Sequence, residues 1–151
     1  MSSQVRKFNT FTFFKLPAAW WTGVRVRHMD QKTAVVTVKH SWRNQNPFKS
    51  MYWAVQGMAA ELTTGLMVMD QIRKSGHKIS MLVAKNEASF SKKARGKITF
   101  TCTDGDKIQE AIGQAIETGE GQTFWMKSVG VNKEGAVVST FDFEWTIRLK
   151  Y

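Results

Sequence analysis

One cysteine and three histidines in 151 residues leave few of the side chains from which disulfide, metal and thiol chemistry are built. The lone thiol, Cys102, closes no internal disulfide. It sits in the alternating run Lys97 to Thr103 (KITFTCT) with Ile98 and Phe100 on its own face, the pattern of a core residue. His28, His40 and His77 fall on two expected strands and a loop without metal-ligand spacing, and no acid or cysteine neighbour completes a set, so neither a metal nor another cofactor is expected. A glycine-rich phosphate loop, a nucleophile elbow, an internal repeat and a low-complexity segment are also missing. No short basic region followed by an unbroken apolar stretch and a small-residue cleavage site opens the chain, which sets the expectation of a cytoplasmic protein.

What remains is an ordinary globular composition, 42% hydrophobic and 12% aromatic, in a length that suits one domain over residues 1–151. A chain of this size buries about two-thirds of its unfolded surface, enough for one real core. The net charge of +10 favours a polyanionic partner: nucleic acid, a membrane surface or a phosphate-bearing small molecule. Nucleic acid is disfavoured, because the aromatics mostly alternate toward a core instead of interleaving with the basic residues.

Residues 4 to 21 (QVRKFNTFTFFKLPAAWW) set Phe8, Phe11, Phe14 and Leu16 at roughly helical spacing among Arg6, Lys7 and Lys15, then meet Pro17; this predicts an amphipathic helix over about 4–18. Gly23 to Met29 and Thr33 to His40 read as a β-hairpin. After the loop Trp42 to Lys49, Ser50 is the expected N-cap of a long helix running to about Arg73, with Met51, Val55, Met58, Leu62, Leu66, Met69 and Ile72 at intervals of three and four. That helix is apolar almost all round, so it belongs in a core or a membrane. Gln56, Glu61, Thr63 and Thr64 within it, and strand patterns on both sides, favour the core. Ile79 to Ser91, irregular near Asn86, is expected to pair with Lys97 to Thr103 as a second hairpin across SKKARG. Asp104 to Thr118 reads as a surface helix stopped by Gly119, and Gln122 to Val131 pairs through Asn132–Gly135 with a last strand in which Phe141, Phe143, Trp145, Ile147 and Leu149 alternate with polar residues. Antiparallel strands interrupted by helices make the class α+β, with five to six strands around a central buried helix.

Glu61 is the only ionisable acid or base of consequence between Ser50 and Met69, and a buried, unpaired carboxylate costs several kcal/mol. Gly57 and Gly65 lie one turn before and one turn after it, each about 1 kcal/mol worse than alanine in a helix interior. Two readings are open: a groove for a thin ligand beside a working carboxylate, or an interface where Glu61 pairs with an arginine and the glycines permit close packing. Upstream, Asn46 can donate or accept a hydrogen bond, and the helix N-terminus presents unpaired N–H groups suited to a developing oxyanion.

The segments N-P-F-K-S-M-Y-W-A (46–54) and A-A-E-L-T-T-G (59–65) resemble the hot-dog thioesterases of the phenylacetyl-CoA thioesterase type, whose pattern is an asparagine, then a histidine and two glycines six residues on, then an acid nine beyond the histidine. F-S-K-K-A-R-G (90–96) is similar to a strand-to-strand turn of that family, and the chain also resembles a branch of the superfamily defined as a domain of unknown function. By this spacing Asn46 holds the asparagine place, Tyr52 the histidine place, Trp53 and Ala54 the glycine pair, and Glu61 the acidic place. Tyr52, Trp53 and Ala54 depart from the pattern.

The resemblance implies a hot-dog fold and a homodimer, or a tetramer, with active sites between subunits. The implied substrate is an acyl-CoA or other acyl thioester. Glu61 would act as general base, Asn46 and Tyr52 would assist, and the N–H of Trp53 or Ala54 would bind the oxyanion. Lys92, Lys93, Arg95 and Lys97 form a basic cluster suited to the phosphates of coenzyme A, or simply to water. A non-catalytic protein that binds acyl-CoA or fatty acyl groups on the same fold is the alternative reading.

Overall fold

The computed structural model describes residues 1–151. Two helices lead, α1 (Ser3–Lys15) and α2 (Pro17–Trp21), followed by β1 (Arg25–Met29), β2 (Ala34–Lys39), a 3-10 turn (Trp42–Asn44) and the long helix α3 (Trp53–Ser75). Then come β3 (Ile79–Phe90), β4 (Lys97–Cys102), α4 (Gly105–Thr118), β5 (Gln122–Val131) and β6 (Val137–Leu149). Every pairing is antiparallel and the six strands run in the order β1-β2-β4-β5-β6-β3. This α+β arrangement, one curved sheet around α3, is the hot-dog fold.

The helix lies on the sheet's inner face, where Val36, Val38, Ile98, Phe100, Met126 and Phe141 are all 1% exposed or less. Three of its polar residues are engaged there: Trp145 Nε1 donates to Thr64 Oγ1 (2.9 Å), Ser139 Oγ to Gln56 Oε1 (2.7 Å), and Thr63 Oγ1 bonds Ser128 Oγ (2.9 Å). A buried hydroxyl or amide without such a partner would cost on the order of 1–3 kcal/mol. No helix of the protein is long and apolar enough to cross a membrane.

The second hairpin is not formed. β3 pairs with β6 along its length, from Ile79↔Leu149 to Phe90↔Ser139, while β4 lies between β2 and β5. Burial explains the exchange: Ile98, Phe100 and Cys102 are fully buried and need covering neighbours, whereas Lys85, Asn86 and Glu87 suit an exposed edge strand. Residues 91–96 are accordingly a crossing and not a turn. Ser91 N–H donates to Val138 O (2.9 Å), and the buried Ala94 accepts from Met51 N–H (2.8 Å). The irregularity expected near Asn86 falls between Val83 and Lys85.

The leading helix also differs from its expected span of 4–18. Pro17 excludes the α conformation for the residue before it, and Leu16 (φ −130°, ψ 61°) breaks the chain into α1 and α2. Val5, Phe8 and Thr12 form the buried stripe, while Phe14 and Leu16 turn outward, Phe14 lying about 240° around the helix from Phe8 at 100° per residue. Asn9 of α1 closes one sheet edge by bonding both backbone groups of Val26, accepting from its N–H (2.9 Å) and donating to its C=O (2.9 Å). The β3 edge has no such cover.

Candidate functional site

The loop before α3 is built around Asn46. Its Oδ1 accepts from Phe48 N–H (2.9 Å) and Ser50 N–H (3.3 Å), and its Nδ2 donates to Ser50 Oγ (3.0 Å). Both ends of the amide therefore serve their own loop, and Lys49 takes a left-handed φ of 57° within it. Ser50, the expected N-cap, is engaged by Asn46, so the helix starts two residues later, with Tyr52 as N-cap and no side-chain capping bond. The Trp53 and Ala54 N–H groups have no acceptor and carry the positive end of a 23-residue helix. Tyr52 is anchored by its backbone, its N–H donating to Asn44 O (2.8 Å), with its ring half-exposed against Trp53.

Asn46, Ser50, Tyr52 and Trp53 line one cavity of about 500 Å³ together with Phe48, Phe90, Lys92 and Lys93; Ala54 is not among its walls. Of the basic cluster, Lys92 and Lys93 thus stand beside the helix start; Arg95 Nε donates to Lys49 O (3.3 Å) behind the loop, and Lys97 lies in β4 opposite Lys39, away from the cavity. Phe48 and Phe90 were not foreseen at this site, because their places depend on the crossing segment and the β3 edge.

Glu61 lies elsewhere. Its carboxylate is largely buried, has no hydrogen-bond or ion-pair partner, and faces two small cavities of about 240 and 200 Å³ that share Lys15, Leu16, Glu61 and Leu62 as walls. Burial raises its pKa from the ordinary 4.5 to about 6. Gly65 makes room for it: a Cβ there would stand 2.8 Å from Glu61 Oε1 and 3.2 Å from the Trp145 ring, whereas at Gly57 the nearest atom, on Phe141, would be at an ordinary 3.4 Å. A second acid on the helix, Asp70, is 3% exposed but paired with Arg73 (2.6 Å) and Lys74 (2.7 Å). The D-x-x-R-K spacing signals that pairing; nothing in the sequence signals the depth of the burial.

No group of three or more His, Cys, Asp or Glu side chains is placed to hold a metal ion. Glu61 and the helix start do not meet within one chain. From the Ala54 and Trp53 N–H groups to Glu61, seven and eight residues on, the helix rises about 10–12 Å, too far for one bound carbonyl to touch both.

Solved structures of similar shape include a protein of unknown function from Pseudomonas aeruginosa, described as a probable thioesterase, with a TM-score of 0.82 at 17% identity over 96% of each chain. A protein of unknown function from Chlorobaculum tepidum aligns with a TM-score of 0.82 at 15% identity, covering 97% of this chain and 94% of that one. A thioesterase from Haemophilus influenzae aligns with a TM-score of 0.76 at 13% identity, covering 99% and 93%. No curated protein matches the sequence. Residues 5–147 match the family described as domain of unknown function DUF4442, and the chain belongs to that family.

Proposed function

We propose that the protein hydrolyses an acyl thioester at a site shared by two copies of the chain, with Glu61 of one as general base and the partner subunit's Trp53 and Ala54 N–H groups as the oxyanion hole. The observation that carries this reading is the buried, unpaired Glu61 carboxylate, whose pKa near 6 lies close to working pH, where a general base is most effective. The separation of Glu61 from the helix start supports two copies, and the 12-residue β3 edge, uncovered and with Phe90 exposed at its end near the exposed Trp53, is the surface suited to joining them.

Glu61 takes a proton from water as the water oxygen bonds to the thioester carbonyl carbon. The resulting oxyanion is held by the two amides, each such donor being worth on the order of 3 kcal/mol. Collapse re-forms the carbonyl and breaks the C–S bond, and the thiol leaves with the proton that Glu61 had taken. Asn46 positions the loop that presents the amides, and Tyr52 screens the site from solvent. Lys92 and Lys93 attract the phosphates of a coenzyme A-type thiol.

The test is thiol release from a series of acyl-CoA substrates by the wild type, Glu61→Gln and Trp53→Pro. Proline is tolerated at the first helical position, where Trp53 stands, and the extended Tyr52 (φ −61°, ψ 133°) already has the conformation that proline demands of its predecessor. Trp53→Pro thus deletes one amide and keeps the helix; Trp53→Ala controls for the lost ring. Each of the first two variants loses turnover, and mixing them restores it, because a mixed dimer holds one complete site. No recovery on mixing refutes the shared site, and full turnover by Glu61→Gln refutes the base. The crowding of the amides by the half-exposed Tyr52 and Trp53 rings favours the second reading, a non-catalytic acyl binder, which predicts acyl-CoA binding without thiol release.

A further inference from the structure

Helices α1 and α3 face one another along two stripes. Gln4, Lys7, Phe8, Phe11 and Lys15 recur at helical spacing on α1, and Glu61, Leu62, Gly65, Leu66, Met69 and Arg73 do so on α3. The stripes run antiparallel and do not close. α1 rests on β1, and the space between the stripes is a chain of cavities.

The largest cavity, about 620 Å³, has Phe8, Phe11 and Met69 as its apolar floor. It shares Phe11 and Met69 with the 200 Å³ cavity, which in turn shares Glu61 and Leu62 with the third. The groove therefore begins at the Glu61 carboxylate and ends at Ser3, Lys7 and Arg73. Asp70 in its wall adds little repulsion, being paired with Arg73 and Lys74. From Glu61 to Arg73 the helix rises about 18 Å.

A groove of that length, with Phe8, Phe11, Leu62, Leu66 and Met69 along its floor, a carboxylate at one end and polar residues at the other, suits a linear hydrocarbon. We infer that it holds the acyl chain of the substrate, with the carbonyl at Glu61 and the chain running between α1 and α3 toward Met69 and Arg73. The inference rests on the hydrolase reading for the direction of the chain, and it names the substrate class as medium- to long-chain saturated acyl groups. An extended chain advances about 1.3 Å per carbon, given bonds near 1.5 Å, so the groove takes roughly 14 carbons. Met69 stands eight residues beyond Glu61, about 12 Å or nine carbons along the path.

The test is equilibrium binding of saturated free fatty acids from C6 to C18, each below its critical micelle concentration, together with the corresponding acyl-CoA series on the Glu61→Gln protein. Each methylene buried raises affinity by up to about fourfold, and the rise should stop near 14 carbons. Met69→Trp, at a partly exposed position, fills the groove and should move that break to about nine carbons, and Phe11→Trp should act in the same direction if the first variant fails to fold. Phe14→Ala, outside the groove, should keep the wild-type profile. An unmoved break in both groove variants, or affinity independent of chain length, overturns the groove. Chain-length-dependent binding without thiol release refutes the hydrolase reading and leaves the groove standing. Thiol release without a chain-length break does the reverse.

Discussion

Replacing Glu61 by glutamine should stabilise the protein, and by an amount that depends on pH. Burial lifts the carboxyl from 4.5 to about 6, which at about 1.36 kcal/mol per pH unit places roughly 2 kcal/mol of penalty on the ionised form in the folded state. The folded protein holds this proton more tightly than the unfolded chain, so the penalty is absent below about pH 4.5, grows between 4.5 and 6, and is complete above 6. Glutamine keeps the shape and never ionises. In urea unfolding at fixed protomer concentration, Glu61→Gln should exceed the wild type by about 2 kcal/mol at pH 7.5, equivalent to about 4–8 °C in Tm, with the advantage gone by pH 4. Subtracting the wild type cancels every other titrating group. In the wild type, the same ionisation should give kcat/KM a rising limb with an apparent pKa near 6. A glutamine variant less stable than the wild type at pH 7.5 would refute the reasoning; a loss of about 3–5 kcal/mol is the mark of a broken buried ion pair and would assign Glu61 to an arginine across an interface.

Gly65→Ala gains up to about 1 kcal/mol of helix propensity, yet its methyl would stand 2.8 Å from Glu61 Oε1. Stability should stay within about 1 kcal/mol of wild type while thiol release falls about a hundredfold, the scale for misplacing a reacting group by about 1 Å; unchanged turnover would mean that the carboxylate position does not matter. Cys102 is fully buried and its thiol is pushed up to about 12, so Ellman's reagent at pH 8 should label it only after unfolding, and rapid labelling of the folded protein would contradict its place in the core. Gly105 opens α4 against the backbone of Gln31 and Lys32, where a Cβ would overlap Gln31 O, so Gly105→Ala should lower stability by about 1–3 kcal/mol as read from the urea midpoint.

The parts of the fold legible in the sequence are those set by local period. β6 alternates a fully buried row (Phe141, Phe143, Trp145, Ile147) with polar residues, and α4 keeps Ile108, Ala111, Ile112 and Ala115 inside, so each is specified by its own residues. Strand pairing is not local. β3 and β4 are neighbours in the chain and carry strand patterns, but which strand takes the centre is decided by how deeply each must be buried, and burial is a property of the whole sheet. The helix start was displaced for a similar reason: Ser50 is a good cap by type, but Asn46 competes for its hydroxyl and backbone, and the chain enters α3 later. The chemistry of Glu61 was visible as a lone acid in an apolar helix. Its separation from the helix start follows from helix geometry applied to the same spacing that suggested the site.

Within α3 the polar residues sort themselves by whether stability alone accounts for them. Gln56, Thr63, Thr64 and Asp70 are all buried, and each has a partner on the sheet or on the helix's own last turn. Glu61 has none, Gly65 weakens the helix to leave it space, the helix begins on a residue whose side chain does not cap it, and Lys49 ahead of it holds a left-handed φ. Each of these departures costs on the order of 1 kcal/mol or more. A helix with four satisfied buried polar groups shows that this sequence can meet such demands where it must. Gln71 leaves its Oε1 unpaired at the far end of the helix, while the other unmet groups, the Glu61 carboxylate and the Trp53 and Ala54 N–H groups, fall where the proposed hydrolysis would need a base and a pair of amides.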